Sequence, residues 1–114
     1  HAEIDGVEQL LKEMIYNLLD NAVKYNVPGG SVTLRVNKVG PRTVLSVSDT
    51  GIGIPYADQP RVFERFYRVD KSHSKEVGGT GLGLSIVRHA AQYHNARLDL
   101  KSQPGKGTTI TVTF

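Results

Sequence analysis

The stretch from Val7 to Tyr25 limits the possible folds more than any other part of the chain. Its apolar residues Leu10, Leu11, Met14, Ile15, Leu18, Leu19 and Ala22 recur at steps of three and four, which places them on one face of a helix. A face that broad needs another layer to cover it. Asn26-Val27-Pro28-Gly29-Gly30 ends the helix, and the period then changes to two. Val32, Leu34 and Val36 alternate with Ser31, Thr33 and Arg35. After a turn at Gly40-Pro41, Thr43–Asp49 carries Leu45 and Val47 on one face. Both read as strands.

The same sequence of periods repeats near the other end. Leu84, Val87 and Ala91 mark a second long helix, about Leu82–His94. Arg97–Ser102 and Thr108–Phe114 then form a hairpin across Gln103-Pro104-Gly105-Lys106-Gly107. Between the two halves, Thr50 to Gly83 is rich in glycine and charge. A short helix is expected only around Arg61–Tyr67, and Arg68 to Thr80 shows no periodicity. Helix, two strands, loops, helix, two strands is an α+β order, with an antiparallel sheet covered on one face by helices. The 114 residues suffice for one core. The chain has no initiating Met and opens almost directly into its first helix, so a piece of a larger protein is expected.

Composition narrows the chemistry. Without cysteine there is neither a disulfide framework nor a thiol nucleophile. The apolar runs are too short for a membrane span or a signal peptide. A hydrophobic content of 39% and a charged content of 22% suit a folded domain. The net charge of +3 and pI near 9.3 are compatible with an anionic ligand and too weak to argue for nucleic acid.

Three groups of residues point to such a ligand. Asn17 and Asn21 stand four apart on the first helix, with Lys24 nearly a turn later. Neutral amide oxygens can ligate Mg²⁺, and a lysine offers a point charge to phosphate; solvated surface amides are the plain alternative. Asp49 lies in phase with Leu45 and Val47, so it points to the apolar face of its strand. With Gly51 and Gly53 beside it, such a carboxylate can accept from an exocyclic amine such as adenine's, although an Asp before a glycine turn is common. Gly79-Thr80-Gly81-Leu82-Gly83-Leu84 opens the second helix and is suited to an anion. It is neither a dinucleotide fingerprint nor a P-loop, and a linker with a helix cap is its alternative. Phe63-Glu64-Arg65-Phe66-Tyr67-Arg68 adds two arginines able to reach phosphate, its aromatics reading as packing. His89 and His94 are five apart on a helix and do not share a face.

In order and spacing these segments resemble the boxes of sensor histidine kinases. Asn17–Tyr25 resembles the N box, Asp49-Thr50-Gly51-Ile52-Gly53-Ile54 the G1 box, Phe63–Arg68 the F box and Gly79–Leu84 the G2 box. Pro104-Gly105-Lys106-Gly107-Thr108 is similar to the last glycine motif. The resemblance runs end to end, over residues 1–114. It implies the catalytic ATP-binding domain, a Bergerat-type two-layer α/β sandwich with three helices on one face of a mixed, mostly antiparallel sheet, its first strand truncated before or around His1–Ile4.

The resemblance also implies roles. Asp49 takes the adenine amine, Asn21 holds Mg²⁺ with Asn17 beside it, Lys24 contacts phosphate and Tyr25 flanks the base. Gly51 and Gly53 line the adenine end, and Gly79, Gly81 and Gly83 the phosphates. Ile54, Phe66, Thr80, Leu82, Leu84 and Thr108 complete the ATP contacts. Arg65 or Arg68 assists the γ-phosphate, and Arg68–Gly78, within a region of about 68–80, forms a lid that nucleotide orders.

Hydrolytic relatives of this superfamily place a Glu general base at the position matching Asn17. An amide cannot take a proton from water near neutral pH, so Asn17 favours transfer to a histidine. Serine-directed anti-sigma kinases and a binding module without catalysis are the alternatives. The F box and Gly79–Leu84 lean against the first, and the intact Asp49, Asn21 and glycines against the second. His1, His73, His89 and His94 precede Ala2, Ser74, Ala90 and Asn95, whereas the phosphorylated histidine of these kinases precedes an acidic residue. The acceptor, on a separate dimerising hairpin, is therefore expected elsewhere in the parent chain. A monomeric fragment, a response regulator as further partner and a cytoplasmic position under a parent anchored in the plasma membrane complete the expectation.

Overall fold

The computed structural model describes residues 6–65, 67 and 83–114. Helix α1 (Glu8–Lys24) leads into a hairpin of β1 (Val32–Val39) and β2 (Arg42–Asp49). A 3₁₀ turn (Gln59–Arg61), helix α2 (Gly83–Tyr93) and a second hairpin, β3 (Arg97–Gln103) and β4 (Gly107–Thr113), follow. The hairpins join through β2 and β4 into one sheet of order β1-β2-β4-β3, every described pairing antiparallel. The architecture is the expected α+β one. The first strand placed before or around His1–Ile4 lies outside the described residues.

Register converts the alternation of each strand into rows across the sheet. Val36, Leu45, Val112 and Leu98 stand side by side on the four strands, and so do Leu34, Val47, Ile110 and Leu100. The next row is Val32, Asp49, Thr108 and Ser102. A period of two puts all three rows on one face, so that face is apolar along its length and polar at one end. Met14, Leu18 and Ala22 of α1 join Val87, Ala90 and Ala91 of α2 over the apolar rows in a single buried cluster.

The helices stop short of the sheet edge. The alternation in β1 predicts a buried face, yet Leu34 is 44% and Val36 48% exposed. Their partners Leu45 and Val47 are buried because α1 packs chiefly against α2 and β2, and α2 lies over β3. Among the described residues, two helices cover the middle of four strands and leave β1 half bare.

The short helix expected over Arg61–Tyr67 is also replaced. From Pro55 the chain advances by three-residue turns: Asp58, Arg61, Glu64 and Tyr67 each donate a backbone N–H to the carbonyl three residues earlier. A coil of that pitch eclipses side chains at i and i+3. Here those side chains bond to each other. Arg61 Nε meets Glu64 Oε2 at 2.7 Å, the Tyr67 hydroxyl donates to Asp58, and the Arg61 guanidinium lies 4.6 Å from the centre of the Tyr67 ring. The stripe of polar partners favours the tighter winding over an α-helix.

The depth of the two faces sets different costs for trimming them. Leu45→Ala removes a side chain that is 1% exposed and should cost about 2–5 kcal/mol of unfolding free energy. Leu34→Ala, half in water already, should cost less than about 1.5 kcal/mol. Urea unfolding of both variants checks this. Equal losses would mean that β1 is covered as deeply as β2.

Candidate functional site

The polar end of the sheet is where the chemistry gathers. Asp49 ends β2 there, and its Oδ1 accepts the N–H of Gly51 at 2.9 Å. Burial pushes its carboxyl above the usual aspartate range. Backbone N–H groups of Gly51 and Thr108 pull it back without cancelling that effect. The result is an acceptor set among apolar neighbours and oriented by the main chain.

The loop after Asp49 is gripped on both sides. The N–H of Ile52 donates to the carbonyl of Tyr25 at 3.1 Å, and the carbonyl of Ile52 accepts the N–H of Gly105 at 2.8 Å. The loop thus bridges the end of α1 and the β3–β4 turn. Two glycines allow the approach. A Cβ on Gly51 would stand 2.2 Å from the Tyr25 carbonyl oxygen, and one on Gly53, where φ is +72°, 2.2 Å from that of Gln103. At its start, Thr50 Oγ1 accepts the N–H of Ser31 at 2.8 Å, while Asn26 Nδ2 donates to the Ser31 carbonyl at 3.0 Å.

Side chains lock the far end of the loop. Gln59 Nε2 donates to the carbonyls of Ile54 at 2.9 Å and Ser102 at 3.1 Å. Ser102 Oγ accepts the N–H of Ile54 at 2.8 Å, donates to the Gly107 carbonyl at 3.0 Å and lies 2.8 Å from Thr108 Oγ1.

Helix α1 supplies the facing wall. Asn17 Nδ2 donates to the Glu13 carbonyl at 2.7 Å, and Asn17 Oδ1 faces Gly83 at the start of α2, 3.2 Å from where a Cβ would be. Asn21 follows one turn later, half-buried. Lys24 Nζ is held by Asp20 Oδ2 at 3.0 Å, so any anion it meets competes with a half-exposed pair. Asn17, Asn21, Lys24, Tyr25, Asp49, Gly51, Gly53, Ile54, Gly83 and Thr108 therefore belong to elements that converge on one end of the fold. Leu84 packs against the core instead. Arg65 lines a groove of about 400 Å³ between α1 and α2 with Leu10, Glu13, Ile86, Arg88 and His89. Phe66, Arg68, Gly79, Thr80, Gly81 and Leu82, with the whole of the expected lid, lie outside the described residues.

Sequence reasoning gave no role in the site to four residues that shape this end: Asn26, Thr50, Gln59 and Ser102. Ser102 carried the same signal as Asp49, a polar residue in phase with Leu98 and Leu100 on a core-facing strand. The other three act through loop contacts that no period announces.

The described residues thus form a two-helix layer on an antiparallel sheet, with a half-buried aspartate at one end and paired amides on the first helix. Residues 6–114 match the family model for histidine kinase-, DNA gyrase B- and HSP90-like ATPases. The chain belongs to that family, as a catalytic ATP-binding domain of the sensor histidine kinase type. It is 50% identical over 109 residues to the sensor-like histidine kinase SenX3 of Mycolicibacterium smegmatis, covering 96% of this chain and 28% of that protein. Among solved structures it is similar to the mycobacterial sensor histidine kinase MprB, with a TM-score of 0.84 and 33% identity over 97% of this chain and 75% of that one. It is also similar to full-length ShkA in complex with AMPPNP, with a TM-score of 0.76 and 28% identity over 91% of this chain and 21% of that one.

The raised pKa of Asp49 has a thermodynamic consequence. A carboxyl that holds its proton more tightly when folded contributes most below the usual aspartate range, and that contribution is lost as pH rises through the folded value. The stability of the native chain relative to Asp49→Asn should therefore fall as pH rises above the usual aspartate range. Thermal midpoints of the two proteins over that rise test it. A relative stability that rises with pH would mean that the two N–H donors outweigh burial.

Proposed function

We propose that this domain binds Mg·ATP and donates the γ-phosphate to a histidine on a separate dimerisation domain of the same sensor kinase, for relay to a response regulator. Asp49 accepts from the adenine amine, with Gly51, Gly53, Ile54 and Thr108 shaping the base end and Tyr25 flanking it. The donor set suits the rest of the ligand. Asn17 Oδ1 is turned away from its own helix toward the start of α2, and Asn21 shares its face, so hard amide oxygens are presented where Mg²⁺ would be held. Mg²⁺, when bound, would screen the phosphate charge. Lys24 exchanges Asp20 for phosphate oxygen, and Arg65 or Arg68 assists the γ-phosphate. The glycines and Thr80 of Gly79–Leu84, with Phe66, complete the nucleotide contacts, and the region 68–80 closes over them.

The observation that carries the choice of transfer over hydrolysis is the amide of Asn17. By the resemblance it stands at the position where hydrolytic relatives carry a Glu general base, and it has no basic lone pair near neutral pH. Glu13, a turn earlier, is exposed and its Oε1 accepts the side-chain amide of Gln9 at 3.1 Å. Phosphoryl transfer rests on holding an acceptor in line with the γ-phosphate, and the chain's own histidines lack the acidic neighbour of an acceptor. No described helix is long and apolar enough to cross a membrane. A membrane anchor belongs, in this reading, to the parent protein, with this domain in the cytoplasm.

Two measurements test the reading. Asp49→Asn replaces an acceptor by a group that presents a donor to the amine, and should lower ATP affinity in calorimetry by about ten- to a hundredfold. Unimpaired binding would remove Asp49 from the site. Incubated with radiolabelled Mg·ATP, the chain alone should bind nucleotide without labelling itself or releasing phosphate at an appreciable rate. Added histidine-bearing hairpin of the parent kinase should become labelled. Self-labelling, or rapid phosphate release, contradicts the assignment.

A further inference from the structure

We propose that His94 is a proton-operated latch on the point where the chain enters α1: the neutral ring holds Val7 to the end of α2, and the imidazolium lets it go. The two ring contacts fix where the proton sits. The Ala90 carbonyl oxygen, 2.7 Å from Nδ1, can only accept, so Nδ1 carries the proton. The N–H of Val7, 3.0 Å from Nε2, can only donate, so Nε2 is bare. Only the neutral ring with its proton on Nδ1 satisfies both at once. A second proton leaves the bond to Ala90 in place and sets one N–H against another at Val7.

The surroundings are arranged for this contact. Val7 begins α1, and no side chain of the helix caps it there; the acceptor comes from 87 residues away. Gly6 makes room for the ring, since a Cβ at that position would stand 2.3 Å from Nε2 and 2.4 Å from Cδ2. Tyr93 and Phe114 meet the imidazole edge-on, with ring centres at 5.4 Å and 6.0 Å, so its plane is held from α2 and from the end of β4. The ring is half-buried and within reach of solvent protons. On α1, Glu8 and Lys12 pair with each other at 3.4 Å and are exposed. Beside β4, Arg97 of β3 pairs with Asp99 at 3.1 Å. Among the described residues no carboxylate forms an ion pair with the ring.

Opening is local. The first bond of the helix runs from the Leu11 N–H to the Val7 carbonyl at 3.0 Å. Leu10 and Leu11 are only partly buried, whereas Met14 and Leu18 lie deep in the core. Releasing Val7 therefore loosens the first turn while the rest of α1 stays packed. The latch controls how firmly the chain is held where it enters the domain, and it stands apart from the nucleotide reading.

A titration of the chain from about pH 8 to about pH 5, followed by ring-nitrogen and backbone-amide NMR, reads both ends of the latch. At the high end the His94 ring should show a proton on Nδ1 and none on Nε2. As the ring becomes an imidazolium, protection of the Val7 amide against hydrogen exchange, relative to an unstructured peptide at the same pH, should fall about two- to tenfold. The amides of Leu18 and Ala22 should keep theirs. His94→Phe, a flat ring without nitrogens, should show the lower Val7 protection at every pH. Gly6→Ala pushes the ring aside, so the imidazole should titrate without moving Val7. If His94→Phe does not fold, the native chain and Gly6→Ala decide the matter. A ring with its proton on Nε2 at the high end overturns the proposal, as does a Val7 amide equally protected on both sides of the ring's titration. So does a Val7 amide that still follows the ring in Gly6→Ala, or a core that loses protection before the ring is charged.

Discussion

Asp49 stands in phase with Leu45 and Val47 on the covered face of the sheet, and a carboxylate in that position must be supplied with donors. The rest of the site follows from meeting that demand. Gly51 turns back to give its N–H, which sends the chain close against the carbonyl of Tyr25 and fixes a glycine there. The same turn carries Ile52 and Gly53 across to the β3–β4 hairpin, where Gly105 and Gln103 meet them. Strand β2 is thus tied through one loop to the end of α1 and to the last hairpin. The loop's path follows from housing one carboxyl at the end of a face that is otherwise apolar.

The apolar rows and the polar row divide the labour along the sheet. Two rows of aliphatic residues hold α1 and α2 in place, and α1 in turn carries Asn17, Asn21 and Lys24 toward the polar end. Packing therefore positions the wall proposed to face phosphate, and hydrogen bonds position the end proposed to face the base. At the far end of α1 the helices are joined independently: His94 Nε2 accepts the N–H of Val7 at 3.0 Å, and His94 Nδ1 lies 2.7 Å from the Ala90 carbonyl oxygen. Helix α1 is thus tied to the end of α2 through His94, while Asn17 comes close to the start of α2 at Gly83.

Both helices and all four described strands were legible because each repeats its period over several turns or residues. What lies over a face was not. The alternation of Val32, Leu34 and Val36 reports that they share a side, and the half-exposure of Leu34 and Val36 depends on how far α1 and α2 extend laterally. Over Arg61–Tyr67 a period of three and one of 3.6 differ too little in two turns to be separated by apolar spacing; the spacing of Asp58, Arg61, Glu64 and Tyr67 at steps of three carried the answer. Asp49 was legible as a polar residue at an apolar phase, and Ser102 stood at the same phase. Gln59 had no such signal, since its bonds to Ile54 and Ser102 exist only once the second hairpin has closed.

The central claim is that the row containing Asp49, Thr108 and Ser102 forms the base end of a nucleotide pocket. Backbone amide NMR during titration with ADP, without metal, tests this most directly because it reads the base end apart from the γ-phosphate. The account predicts that the resonances of Gly51, Ile52, Gly53 and Thr108 shift most, with Leu34 and Val36 on the open edge unmoved. Shifts centred instead on Leu10, Ile86 and His89 in the groove between the helices, with Gly51 and Thr108 unchanged, would contradict it.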